Sequence, residues 1–127
     1  MSILENFRPF NFSEGVPYVS VTAHGVTFNR SVVMKLDYPE HVILLIDENE
    51  KRMAIQQCDA EAKNAAAFFK QKKSNVISVR WNGRDLLNTL QEMMGWDLTK
   101  EGYRIDGILL KDEHAMLFDL REATVLK

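Results

Sequence analysis

The sequence predicts a sheet-rich α+β fold in which two strand–short helix–β-hairpin units pack into one compact domain. Three observations lead there. Apolar residues alternate with period two over short β-branched runs, the mark of half-buried strands. An aromatic–Asn junction ends one such run and opens a helical spacing at Phe28-Asn29-Arg30-Ser31, and again at Trp81-Asn82-Gly83-Arg84. A hairpin pattern follows each helix, with Leu44-Leu45-Ile46-Asp47-Glu48 beside Leu109-Leu110-Lys111-Asp112-Glu113. An internal pseudo-repeat would account for the parallel. Strand–helix–hairpin is also a common local order, and identities between the halves are few.

The elements follow in order. Residues 1–16 carry Phe7, Phe10 and Phe12 among Pro9, Gly15 and Pro17, and read as an arm docked on the core. Val19 and Val21 alternate with Ser20 and Thr22, then Val26 and Phe28 follow a His24-Gly25 turn. Asn29 is placed to cap a short helix by accepting a bond from a backbone N–H that the helix leaves unpaired. Val32, Val33 and Leu36 give its apolar face, and it must stop before Pro39, because the residue before proline resists the α region. Residues 41–58 make a hairpin: Val42 to Ile46 is β-rich, Asp47 to Lys51 is polar, and Met53 and Ile55 resume the alternation. Residues 59–69 read either as a short amphipathic helix with Ala62, Ala65, Ala66 and Phe69 on one face, or as a linker. A basic connector, 70–75, follows. Val76, Ile77 and Val79 form the next strand, ending at Trp81. Asn82 is expected to cap a second helix with an apolar stripe of Leu86, Leu87, Leu90, Met93 and Met94, closed by Gly95. A hairpin of Tyr103–Leu110 and Ala115–Leu120 completes the chain. The organisation is thus an arm plus first unit over 1–58, a short helix or linker over 59–75, and a second unit over 76–127.

Composition bounds the function. A chain of 127 residues, 46% hydrophobic and 27% charged, is long enough to bury a real core. Its net charge of −2 excludes a polycation, so any binding to nucleic acid must rest on a local basic patch. One cysteine, Cys58, forms no internal disulfide, and no secretory pattern opens the chain; both suit a cytoplasmic protein. The longest apolar run, Val42 to Ile46, is far short of a membrane span. Asn11-Phe12-Ser13 matches a glycosylation acceptor by chance on this reading.

No catalytic signature is present. His24, His41, His114 and Cys58 lack metal-ligand spacing, and no cofactor motif occurs. There is no Gly-rich phosphate loop, no Gly-x-Ser-x-Gly and no carboxylate pair placed for acid–base work. A non-enzymatic protein is expected.

Residues 25–56, GVTFNRSVVMKLDYPEHVILLIDENEKRMAIQ, resemble the AbrB/MazE-type swapped-hairpin domains. Val26 and Phe28 match the Val-x-Ile of that family's opening Gly-x-Val-x-Ile, with Gly25 one position after the family's glycine, and Leu36 matches the leucine that ends its short helix. Val42 to Ile46, the Asp47 turn and Met53 to Ile55 match its hairpin. Asn29 stands where the family has proline, and Asp37 where it has glycine. The resemblance implies a DNA-binding, transcription-regulator-like protein whose two units form a dimer, here combined in one chain.

Duplex DNA would need cations converging on one surface, because phosphate contacts supply most of the non-specific affinity. The candidates are Arg30, Lys35, Arg80 and Arg84 around the two helix junctions, with Lys72 and Lys73, next to Lys70, between them. The alternative is a protein-interaction or homodimerisation module without nucleic acid, for which Trp96 is the candidate interface residue.

Overall fold

The computed structural model of the chain describes residues 3–9, 15–71 and 76–126. Among them, nine strands join into one curled antiparallel sheet, and two α-helices pack beside it. No helix of the described residues is long and apolar enough to cross a membrane.

The first strands are β1 (Tyr18–Thr22) and β2 (Gly25–Phe28), a hairpin in which Val19 faces Phe28 and Val21 faces Val26. Period-two alternation sends those four side chains to the interior, each fully buried. Gly25 has a φ of +141°, and a Cβ on it would lie 2.6 Å from the Trp81 carbonyl oxygen. Only glycine satisfies both constraints.

Helix α1 (Arg30–Lys35) begins where expected, with Asn29 as its cap. The Asn29 side chain does more than cap. Its Oδ1 accepts from the Val32 N–H at 3.2 Å and from the Tyr18 N–H at 3.0 Å, and its Nδ2 donates to the Val16 carbonyl at 3.0 Å. Ser31 Oγ donates to the Gly15 carbonyl at 2.5 Å. These bonds hold the chain entering β1 against α1.

The expected docked arm is not what residues 3–9 form. They are exposed, Phe7 at 72%. Phe10, Phe12 and the Asn11-Phe12-Ser13 acceptor lie outside the described residues.

The hairpin of β3 (His41–Asp47) and β4 (Arg52–Gln57) follows, as the alternation predicts. Residues 59–69 are not helical. Two successive turns, Ala62 N–H to Asp59 O and Ala65 N–H to Ala62 O, pass through the left-handed Asn64 into β5 (Ala66–Ala67). This strand pairs with β3, and Phe68 and Phe69 beyond it enter the core. Burial of two large rings outweighs the helix propensity of the alanines, which is only a few tenths of a kcal/mol per residue, roughly.

In the second half, β6 (Val79–Trp81) begins later than expected, with Val76 57% exposed. Helix α2 (Arg84–Met94) is capped by Gly83, with no side-chain cap bond, so Asn82 is not its cap. Asn82 lies beside Gly25 instead. Leu87 and Leu90 carry the helix into the core, and Gly95 closes it in the left-handed conformation. Lys51 Nζ, from the β3–β4 turn, donates to the Met93 carbonyl at 2.9 Å, a cation on an unpaired C-terminal carbonyl.

Strands β7 (Tyr103–Leu110), β8 (Ala115–Asp119) and the short β9 (Thr124–Val125) complete the sheet. β7 changes partners along its length. Tyr103 to Asp106 pair with β1, while Gly107 to Leu110 pair with β8. Gly107 sits at the changeover, where a Cβ would come within 2.9 Å of both Met116 Sδ and Phe118 Cε1.

The strand order is β5-β3-β4-β8-β7-β1-β2-β6, with β9 on β7. The halves therefore do not pack face to face as two sheets. Their strands interleave in one. The sheet curls until its ends meet, and Trp81 on β6 donates its indole N–H to the Ala67 carbonyl on β5 at 3.1 Å. Phe28, Phe68 and Trp81 fill the interior at this seam, with ring centroids 5.1 to 5.9 Å apart and edge-to-face geometry.

Candidate functional site

Among the described residues, a cleft of about 950 Å³ opens between α1, the start of β3 and the segment after β5. Its position follows from local chain geometry. After α1 the backbone runs through two consecutive non-glycine residues in the left-handed region, Asp37 at φ 62° and Tyr38 at φ 54°. Each costs about 1 kcal/mol or more in this conformation, for want of glycine's freedom. The bend is held by Asp37 N–H to Met34 O at 3.0 Å and Tyr38 N–H to Val33 O at 2.9 Å. Its effect is to turn the Tyr38 ring outward, 40% exposed, while Pro39 returns to the interior.

The opposite wall comes from the chain after β5. Phe68 N–H donates to Glu40 O and Phe69 N–H to Pro39 O, so this segment runs alongside the lead into β3. Phe69 meets Tyr38 edge to face, with centroids 5.3 Å apart. Lys70 follows, and it lines the cleft together with Arg30 at the head of α1, Glu40 and His41. Arg30 Nε donates to Met34 Sδ at 3.3 Å, which orients the guanidinium along its own helix.

This arrangement offers two permanent cations, an imidazole, one carboxylate and an aromatic ring to the solvent. It can bind an anion and stack a planar group. Among the described residues, its lining includes no Ser, Thr or Cys side chain. Among the described residues no cluster of three or more His, Cys, Asp or Glu side chains is placed to hold a metal ion.

The other predicted residues are scattered relative to this cleft. Lys35 lies five positions after Arg30, roughly 140° around the helix, and so presents to a different side. Arg80 is on the outward side of β6, where its Nε donates to Thr27 Oγ1 at 3.1 Å. Arg84 starts α2 and is exposed. Because β2 and β6 are antiparallel, with Phe28 opposite Val79 and Val26 opposite Trp81, Arg30 and Arg84 leave opposite ends of that ladder. The ladder therefore does not bring the two junction arginines to one point. Lys72 and Lys73 lie outside the described residues.

Trp96 is half-buried. Its ring stacks on Tyr103 with centroids 4.2 Å apart and planes 12° from parallel, so one of its faces is already occupied. Burial, and then the Glu101 carboxylate to which it donates at 3.0 Å, hold the Tyr103 hydroxyl above its usual pKa.

Tyr38, His41 and Phe69 were not singled out as binding residues by the sequence. Lys70 was visible only as part of a basic run. The one local signal was Asp37-Tyr38-Pro39: a helix must end there, but nothing in those residue types says that the ring is turned outward.

No protein-family model, no curated protein and no solved structure matches this chain.

Proposed function

We propose that this chain is a non-enzymatic, regulator-like DNA-binding protein, built on the swapped-hairpin plan within a single polypeptide. The observation that carries the reading is the convergence of Arg30, Lys70 and the outward-turned Tyr38 on one cleft. Cations on the rim meet phosphate, and the ring offers a stacking surface to an exposed base. The net charge of −2 concentrates this role in the cleft rather than over the whole surface.

The strand order supports the plan. The chain runs strand, strand, helix, strand, strand over β1–β2–α1–β3–β4, and again over β5–β6–α2–β7–β8. Exchanging β1 with β5, β2 with β6, β3 with β7 and β4 with β8 maps the sheet order onto itself, once the Trp81–Ala67 seam is counted as the contact between its ends. Each half inserts its second hairpin among strands of the other. An internal pseudo-two-fold of this kind favours duplication of one unit.

The test is fluorescence anisotropy with a labelled random-sequence DNA duplex, repeated with the single strand, at about 50 and 200 mM salt. Binding that weakens by an order of magnitude or more across that range supports the reading. Absence of binding to either form at the lower salt refutes it.

One observation favours a second reading, a homodimer without nucleic acid. Leu45, Ala54, Leu117 and Ile108 stand in register across β3, β4, β8 and β7 on the outer face. Leu45 and Ile108 are 45% and 58% exposed. An apolar row of this kind is a surface for a second copy. Sedimentation mass that doubles with concentration, and that Ile108→Lys returns to the monomer value, would support it.

A further inference from the structure

We propose that the seam between β5 and β6 is a binding slot for an extended acidic peptide of a partner protein, which adds a strand to this sheet. The inference is independent of the DNA reading and uses none of the cleft's lining residues.

Its first ground is a missing ladder. Every other neighbouring pair in the sheet order is joined by backbone pairing, whereas β5 and β6 meet through one side-chain bond, Trp81 Nε1 to Ala67 O. The contrast with β1 is direct. β1 holds the position in the first half that β5 holds in the second, and it pairs through four residues with β2 and four with β7. β5 pairs through two residues with β3 alone. The facing edge of β6, and that of β5 once an incoming strand displaces the Trp81 indole from the Ala67 carbonyl, would then offer backbone groups to a third strand, the condition for β-strand addition.

The second ground is the shape of the slot. A groove of about 500 Å³ runs over the seam, between Ala66-Ala67 on one side and Arg80-Trp81 on the other. Leu44, Trp81 and Leu86 line it, all of them half-buried and packed against the core. The sheet is open here to its inner layer. The alanine side chains of β5 are small enough to let another backbone approach. Apolar side chains at alternate positions of a bound strand would meet that lining.

The third ground is charge. Arg80 stands at the lip of the groove and is oriented by Thr27, while the other polar lining residues are Asn64 and Asn82. No carboxylate lines the slot. A strand whose outward positions carry carboxylates is complementary to it, and a basic strand is not.

The experiment titrates isotope-labelled full-length protein with capped peptides of about six residues, the usual strand length. One alternates valine with glutamate and the other valine with lysine. The expected result is amide shifts centred on Ala66, Ala67, Arg80 and Trp81, including the Trp81 indole N–H, at peptide concentrations of about 1 mM or lower. The glutamate peptide binds about threefold to tenfold more tightly than the lysine peptide, and Arg80→Glu reverses that order. Unchanged shifts away from the groove verify that Arg80→Glu is folded. No shifts with either peptide, shifts centred on another strand edge, or a preference that Arg80→Glu leaves unaltered would each overturn the proposal.

Discussion

Trp81 and Ala67 hold the two ends of the sheet together through a single hydrogen bond, indole N–H to backbone carbonyl, at 3.1 Å. The ring also packs edge to face on Phe28 and Phe68. Trp81→Phe removes the N–H and retains a ring. It is expected to cost about 1 kcal/mol for the bond, with a smaller share for lost volume. Trp81→Ala should cost more, toward the lower end of the roughly 3–5 kcal/mol range for fully buried aromatics, because Trp81 is only partly buried. Urea midpoints of the two variants check this. Equal losses would mean that the ring contributes nothing and the bond accounts for the whole effect.

Two glycines separate backbone from side-chain constraint. At Gly25 the obstacle to a Cβ is the Trp81 carbonyl oxygen, and φ is +141°. At Gly107 the obstacles are the Met116 and Phe118 side chains, which can shift. Gly107→Ala should lose about 1–3 kcal/mol, the usual cost of overpacking. Gly25→Ala should lose more, since neither the φ nor the carbonyl can relax cheaply. Thermal melts of the pair give the order directly.

Much of this fold was legible in the sequence, and the failures have physical causes. Alternation located β1 to β4 and the β7–β8 hairpin because one face of each is buried. Asn29 announced α1, and Gly95 announced the end of α2. The alanines at 62, 65 and 66 favoured a helix locally, but Phe68 and Phe69 gain more by reaching the core along β3. Asn82 has the side chain of a cap, yet it lies against Gly25 while Gly83 begins the helix. The cleft was hidden for a different reason. Arg30 and Tyr38 stand at the two ends of α1 and its turn, but Lys70 joins them only through the pairing of residues 68–69 with residues 39–40, and no local spacing reports that.

The left-handed pair at the cleft predicts a trade between stability and geometry. Asp37 is at φ 62° and exposed, so Asp37→Gly removes strain without removing a buried contact. It should stabilise the fold by about 1 kcal/mol. DNA affinity should hold, because Tyr38 keeps its direction through its bond to the Val33 carbonyl. Chemical denaturation and anisotropy on the same variant test both halves. A destabilised Asp37→Gly would show that the side chain, not the backbone, secures this turn.

Acid sensitivity should centre on two carboxylates. The Arg52 side chain, donating at 2.7 Å, and next the Glu50 amide hold Asp47 below its usual pKa. The Thr99 hydroxyl and amide do the same for Asp97. A carboxylate with a depressed folded-state pKa stabilises the fold above its unfolded value of about 4, and that contribution is lost as pH falls through the folded value. Between about pH 5 and 2, the stability of Asp47→Asn/Asp97→Asn should fall less steeply than that of the parent chain. Parallel slopes in urea titrations across that window would rule these two groups out as the source.

The most direct test of the DNA-binding account is the salt slope of binding to a random-sequence duplex, measured for the parent chain, Arg30→Ala and Lys70→Ala. Each cation that contacts a phosphate contributes about one unit to the slope of log K against log salt. The account predicts weaker binding and a slope smaller by about one unit in each variant, with Arg84→Ala, at the far end of the β2–β6 ladder, close to the parent. Unchanged slopes for Arg30→Ala and Lys70→Ala, or a loss confined to Arg84→Ala, would contradict it.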